Sequence, residues 1–471
     1  MARRALVLFL CGAALALDNG VGLTPAMGYN TWNDFRCGSD LNASAVRALA
    51  DAMVQSGLAA KGYTYLNVDD CWTEPFLSPE GRLIESATAF PEGIGSLAAY
   101  VHSKGLKFGL YADRGWKTCA FRPGSGGNER MHASQLAEWG VDYLKHDSCW
   151  ASSQPERAFQ AYAVMRDALN ATGRPILYSL CGWNAWYAPM GATLANSWRI
   201  APDCDEWANV YVAIRTNEKL ALHVSPGSFN DPDMLLGSNP DAPASLTPAQ
   251  VQAQFSMWAV MAAPLLIGSR LLSMPPSDFE TYSNEEVIAI NQDPLGVQGT
   301  VVWSNCPPFE PRDNWWMSPW SMPQDVAVAW ITALATIGVM ALASAAIALR
   351  FSRTVCAVVS CVLLAISLFS GLAIAWYRPQ VDECQQIWSR PLSNGDAALA
   401  MINFAFAPAR ITCGAACLRT IFPQSAGAPI DVRVRDVVAR KDVMGLEPQS
   451  EVALVLQADG GSALFRLTPG S

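Results

Sequence analysis

The chain has 471 residues, of which 51% are hydrophobic and 15% charged, with a formal net charge of −9. That length accommodates one large domain and a smaller one, and the negative balance excludes nucleic acid or an anionic membrane surface as the main partner. Four histidines without an H-E-x-x-H spacing offer little to a metal.

At the N-terminus Arg3 and Arg4 precede an apolar run from Ala5 to Leu15, and Ala14-Leu15-Ala16 fits a cleavage site. Residues 1–16 therefore read as a signal peptide. The secretory pathway is oxidising, so disulfides are open to the thirteen cysteines. Setting aside Cys11 in the signal, and Cys356 and Cys361 in apolar segments, leaves an even set able to pair completely. Asn42-Ala43-Ser44 and Asn170-Ala171-Thr172 are glycosylation acceptors for the same compartment.

Residues 17–300 read as one catalytic domain in which strand and helix patterns alternate from residue 26 to about 270. The predicted strands are Met27 to Asn30, Tyr63 to Asp69, Lys107 to Asp113, Val141 to Asp147, Ile176 to Cys181, Asn196 to Ala201, His223 to Ser225 and Leu265 to Ser269. Helical patterns intervene, as at Ala43 to Ser56, Gly95 to Lys104 and Pro155 to Ala171, and Gly57, Gly105 and Gly173 follow as stops. Eight strands with intervening helices predict a (β/α)8 TIM barrel. A doubly wound dinucleotide fold fits worse, because no G-x-G-x-x-G follows the first strand. Acidic residues close three strands: Asp69 and Asp70 in YTYLNVDDCW, Asp147 in VDYLKHDSCW, and Asp203 after NSWRIA. Carboxylates gathered at one mouth, two of them flanking a sugar bond, are the equipment of a glycoside hydrolase.

Residues 301–383 read as an insertion. Val326–Leu349 and Thr354–Tyr377 carry no charge, and each is long enough to cross a bilayer as a helix. Arg350 and Arg353 between them would face the cytoplasm, with Trp315, Trp316, Trp320, Trp376 and Tyr377 at the opposite interface. The pair predicts a transmembrane hairpin that tethers the chain to the lipid bilayer. A retained intron or other gene-model error would produce the same interruption. Cys306 and Cys384 bracket it and are placed to pair. From residue 384 to 471, short runs such as AALAMINF and EVALVLQA predict a C-terminal antiparallel β-sandwich domain.

Taken together, LDNGVGLTPAMGYNTWNDFRC, YLNVDDCW, GLKFGLYAD, KHDSCW, FNDPDML and EVIAINQDPLG resemble glycoside hydrolase family 27, the α-galactosidases and α-N-acetylgalactosaminidases of clan D. The resemblance runs from Leu17 to about Gly299 and resumes at Ile387. It implies a retaining hydrolase that needs no cofactor or metal, with Asp147 as nucleophile and Asp203 as acid/base. It further implies that Asp69 and Asp70 read the axial O4 and hydroxymethyl group of a galacto-configured sugar. Trp32 matches the platform beneath the sugar, and Tyr111, Cys119, Asp233 and Met234 match other pocket positions. Lys145 shares a strand face with Asp147 and is suited to keep it ionised, and Arg199 stands in a similar relation to its own site. The disulfides implied are Cys37–Cys71, Cys119–Cys149 and Cys413–Cys417, and Cys181–Cys204 is a further guess.

In SLCGWN, Gly182 replaces a residue that in galactosidases contacts the C2 substituent, so selection there is expected to be weaker or to come from Trp183 and Asn184, with room for an acetamido group; Cys181, Gly182 and Trp183 are expected to line the substrate pocket. The expected activity is removal of terminal α-linked galactose from oligosaccharides or glycoconjugates. The alternatives are an α-N-acetylgalactosaminidase or β-L-arabinopyranosidase on the same scaffold, a galactosyl transferase, and a non-catalytic membrane galactose-binding lectin. The expected location is lumenal or extracellular, membrane-tethered if the hairpin exists and secreted, lysosomal or vacuolar if it does not. Pairing into a homodimer stays open.

Overall fold

The computed structural model describes residues 19–242, 244–310, 338, 381–423, 431–443 and 450–470. Eight short parallel strands form one sheet: Met27–Asn30 (β1), Tyr65–Val68 (β2), Lys107–Asp113 (β3), Tyr143–Asp147 (β4), Leu177–Leu180 (β5), Ser197–Arg199 (β6), Phe229–Asp231 (β7) and Leu265–Ile267 (β8). Their order is β7-β6-β5-β4-β3-β2-β1-β8. The sheet curls back on itself just beyond β7. There the Leu235 N–H donates to the Leu266 carbonyl at 2.8 Å, and the Leu235 carbonyl accepts from Gly268 at 2.9 Å. The result is a TIM-like barrel.

Local chemistry explains the alternation. The helix Ala43–Gln55 starts where the Asn42 side chain accepts from the Ala45 N–H, and buries Val46, Leu49, Ala50 and Met53, a stripe at helical spacing. The strands are buried on both faces, as a parallel sheet jacketed by helices requires. Inside the barrel Tyr65, Tyr143, Leu177 and Leu266 fill the amino-terminal end with apolar bulk. Because side chains alternate, the next inward positions along the same strands carry the polar residues of the mouth.

The seventh strand departs from expectation. His223 closes a single helical turn, and Ser225 and Ser228 pair across Pro226-Gly227, with Gly227 at φ 86°. That tight turn cannot continue a strand, and the ladder is taken up by Phe229–Asp231 instead.

The C-terminal part contains Thr300–Ser304 (β9), Gln385–Pro391 (β10), Ala397–Asn403 (β11), Ala409–Cys413 (β12), Val432–Asp436 (β13), Lys441–Asp442 (β14), Val452–Leu456 (β15) and Gly461–Pro469 (β16). An antiparallel sheet of order β14-β13-β16-β11-β10-β9 faces the pair β12-β15 across a core that includes Ile387, Leu399, Met401, Ile411 and Val452. Residues 301–304, expected at the start of the insertion, therefore belong to this sheet, because β9 pairs with β10. The other face of the larger sheet joins the barrel core through Trp388, Ala400 and Leu464. Buried Arg390 donates to the carbonyls of Ala259, Ile290 and Asn291 at 2.8, 2.6 and 3.2 Å, tying the sheet to barrel helices.

The expected signal peptide and both hairpin helices lie outside the described residues, save Gly338. Among the described residues no helix is long and apolar enough to cross a membrane. Cys306 and Cys384, on either side of that segment, are joined.

Candidate active site

Strand β4 delivers Lys145 and Asp147 to the barrel mouth from one face. Asp147 is almost fully buried; its Oδ2 accepts from the Tyr111 hydroxyl at 2.8 Å and its Oδ1 from the Ser148 N–H at 2.9 Å. Lys145 pairs with Asp69 at 2.7 Å, and the Asn30 amide donates to the same Asp69 oxygen at 2.8 Å. Asp70 accepts from the N–H groups of Cys71 and Ala120 at 2.7 and 3.0 Å. Two adjacent carboxylates are thereby fixed at the end of β2 by donors from four different segments.

On the opposite side Arg199, at the end of β6, is buried and forks between two acids. It lies 3.0 Å from Asp203 and 3.0 Å from Asp233. Asp233 also accepts from the Cys204 N–H at 2.7 Å, while its carbonyl accepts from the Trp258 indole at 2.7 Å. Asp203 itself reaches the open mouth, its side chain 49% exposed. Trp32 and Met234 pack into the apolar cluster beneath the pocket.

Electrostatics separates the two central acids. Burial, with the nearby charge of Asp203, pushes Asp147 up to about 7 against the pull of Lys145 and Tyr111. For Asp203 burial works in the same direction, but Arg199, Lys145 and Arg36 outweigh it and hold the carboxyl below its ordinary value. The two carboxyls are therefore shifted in opposite directions, Asp147 up and Asp203 down. Lys145 stays charged: its carboxylate neighbours, led by Asp69, overcome the burial that opposes them.

The disulfides Cys37–Cys71, Cys119–Cys149 and Cys413–Cys417 are present. The guessed Cys181–Cys204 bond is not: both are buried free thiols. Arg199 lies against Cys181 at 3.6 Å, and the Cys204 thiol donates to the Pro232 carbonyl at 3.5 Å, so the two sulfurs face different partners. Asp113, Asp147, Cys119 and Cys149 gather within 4.8 Å of one another. That group does not suit a metal, since the sulfurs are bonded to each other and Asp113 accepts from Gly115 and Cys149 N–H groups at 2.6 and 2.8 Å.

Gly182 requires a correction. A Cβ there would fall 2.0 Å from the ring of Tyr187, which is buried. A side chain at this position would run into that aromatic ring, so glycine is required there by packing. Cys181 and Trp183 pack with the Cys119–Cys149 disulfide in the pocket wall instead.

Backbone strain concentrates at the mouth. Six of the nine described non-glycine residues with positive φ are Arg36, Cys71, Phe121, Trp150, Trp183 and Asp233. They follow β1, β2, β3, β4, β5 and β7 respectively. Strain of about 1–3 kcal/mol per residue persists where packing over-determines the chain, typically at functional sites.

Residues 24–293 match the family described as alpha galactosidase A, and residues 382–467 match the alpha galactosidase C-terminal beta sandwich domain. The chain belongs to glycoside hydrolase family 27. It is 45% identical to Alpha-galactosidase 3 of Arabidopsis thaliana over 297 residues, covering 62% of this chain and 65% of that one. The alpha-galactosidase of Cyamopsis tetragonoloba is 47% identical over 293 residues, 61% of this chain and 69% of the relative. The match thus spans about two thirds of the relatives' length. The structure of the alpha-galactosidase of Saccharomyces cerevisiae with raffinose is 26% identical, with a TM-score of 0.71 over 96% of this chain and 99% of that one.

Within this family framework, sequence reading did not single out Asn30, Tyr187, Trp258 or Asp231. Asn30 ends a strand one turn before Trp32, and Asp231 opens the D-P-D turn whose last N–H it accepts at 2.8 Å. Those two carried a signal, polarity at the carboxyl end of a strand. Tyr187 and Trp258 act from helical segments, and nothing in their local sequence distinguishes them from core aromatics.

Proposed function

We propose that this family 27 chain is a retaining α-galactosidase with Asp147 as nucleophile and Asp203 as acid/base. The observation that carries the reading is the unequal setting of two mutually interacting acids. Asp147 is buried and aimed by Tyr111 and Ser148, whereas Asp203 is open to the mouth beside Arg199. In the first step an Asp147 oxygen bonds to the anomeric carbon as the bond to the glycosidic oxygen breaks, and the proton on Asp203 goes to that oxygen. In the second step water adds to the anomeric carbon, gives its proton to Asp203, and releases Asp147 as a carboxylate. The first step needs a proton on Asp203 and an ionised Asp147, the reverse of the balance in the site without substrate, and Lys145 and Tyr111 are the groups that pull Asp147 toward its ionised form.

Asp69, Asp70 and Lys145 supply acceptors and a donor suited to the O4 and O6 side of galactose, over the Trp32 platform. The relatives at 45% and 47% identity are named alpha-galactosidases, which favours galactose. Proton NMR of the first product from an α-galactoside tests the mechanism: α-galactose is expected before mutarotation, and β-galactose first would refute double displacement.

The disulfides favour an oxidising compartment, hence a secreted or vacuolar setting. Tethering through Val326–Leu349 and Thr354–Tyr377 rests on their hydropathy and flanking charges. Resistance to carbonate extraction from membranes is the expected result, and full release would remove the tether.

A further inference from the structure

One residue at the mouth lies outside the chemistry above. Arg36 follows β1, yet its guanidinium pairs at 3.2 Å with Asp205, which follows β6. In the ring these strands are separated by β8 and β7, so the pair spans the rim rather than joining adjacent loops. The same guanidinium lies 5.2 Å from the centre of the Trp32 ring, the platform proposed beneath the sugar. Asp205 stands two residues beyond Asp203, and the intervening Cys204 is pinned through its N–H to Asp233. Arg36 thus sits between the sugar platform and the acid/base loop, close enough to Asp203 for its charge to act there.

The position is costly. Arg36 has φ 49° and ψ −131°, a conformation that glycine adopts freely and arginine does not. Its side chain remains 33% exposed, so burial of apolar surface does not offset that cost. A charged, partly exposed fork held in a strained conformation beside an aromatic ring is equipped to bind hydroxyl groups.

Given Asp203 as the acid, the departing oxygen must lie against it, and whatever follows that oxygen extends past Asp203 toward Asp205 and Arg36. We propose that Arg36, braced by Asp205, forms the subsite for the departing sugar and makes the enzyme discriminate in favour of hydroxylated leaving groups. This rests on the assignment of Asp203 made above.

The experiment compares two substrates that share galactose and differ only in what leaves: an α-galactosyl disaccharide and α-galactosyl fluoride. The readout is the ratio of their kcat/KM values in the full chain and in Arg36→Gly, with the thermal midpoint measured alongside. The expected result is a roughly tenfold fall in the disaccharide-to-fluoride ratio, with a midpoint equal to or above that of the parent, because glycine relieves the backbone. Arg36→Lys, which keeps the charge and loses the planar fork, should recover only part of the ratio. A ratio that does not move overturns the proposal. So does a parallel fall for both substrates with a lowered midpoint, which would make Arg36 a structural brace. Should the parent release galactose from neither substrate, the assignment of activity fails first, which is distinguishable from failure of the subsite.

Discussion

The ring of Tyr187 lies where the side chain of residue 182 would begin, so that a Cβ on Gly182 would stand 2.0 Å from it. Tyr187 is itself packed against Trp186 at 3.9 Å between ring centres and against Phe159 and Tyr162. It cannot retreat without breaking that aromatic cluster. The wall of the pocket at this point is set by a helical segment and not by the strand-end residue.

Gly182→Ala is therefore expected to destabilise the fold by about 1–3 kcal/mol through overpacking. In a double-mutant cycle with Tyr187→Ala the two effects should be strongly non-additive, since removing the ring makes room for the methyl. Urea unfolding of the four variants checks this, and simple additivity would show that the two residues do not compete for the same space.

The two acids should fail differently. With Asp147 as the proposed nucleophile, Asp147→Asn is expected to lower kcat by about 10³-fold or more for every galactoside. Asp203→Asn should depend on the leaving group: a nitrophenolate needs little protonation and retains part of its rate, whereas a sugar leaving group loses most of it. Steady-state kinetics on both substrate types separates the roles. Equal losses for the two leaving groups in Asp203→Asn would remove it as the acid.

Stability should favour mildly acid pH. For stability, burial raises Asp70 to about 6 and Asp233, like Asp147, to about 7, from an ordinary value of 3.8. A carboxyl whose folded pKa is raised contributes its full stabilisation below the unfolded value and loses it as pH climbs through the folded one. Asp203 works the other way, but its contribution disappears only below the ordinary carboxylate range. The thermal midpoint should thus be higher at pH 5 than at pH 8, and the reverse order would contradict the burial of these groups.

Lys145→Met leaves Asp69 without its 2.7 Å cation in a nearly dry site. Losing one member of a buried pair costs about 3 kcal/mol of folding stability, and the loss of a cation from the pocket should lower kcat/KM as well. Kinetics on a nitrophenyl α-galactoside reads it directly. An unaltered KM and kcat would place Lys145 outside the pocket.

Much of the barrel could be read along the chain because its signals are local. Apolar runs of strand length, glycine stops such as Gly57 and Gly173, and acids closing β2 and β4 each depend on a few neighbouring residues. The pairing Cys306–Cys384 was legible in the same way, from two cysteines flanking one interruption. The seventh strand was not, because His223–Ser225 has the composition of a strand while the Pro226-Gly227 turn displaces the ladder to Phe229.

Side-chain order along the strands was enough to nominate Asp147 and Asp203, since carboxylates at strand ends must meet at one mouth of such a barrel. Folding in three dimensions settled how they are held. Arg199 forks between Asp203 and Asp233, Cys181 and Cys204 turn to different partners, and Tyr187 fills the space beside Gly182. The Arg199–Asp233 pair and the two thiols' partners join separate strands or loops, Gly182 and Tyr187 meet within one segment, and no periodicity in a linear chain encodes which side chain will arrive opposite another. Close packing and the need to pair buried charges constrain that choice.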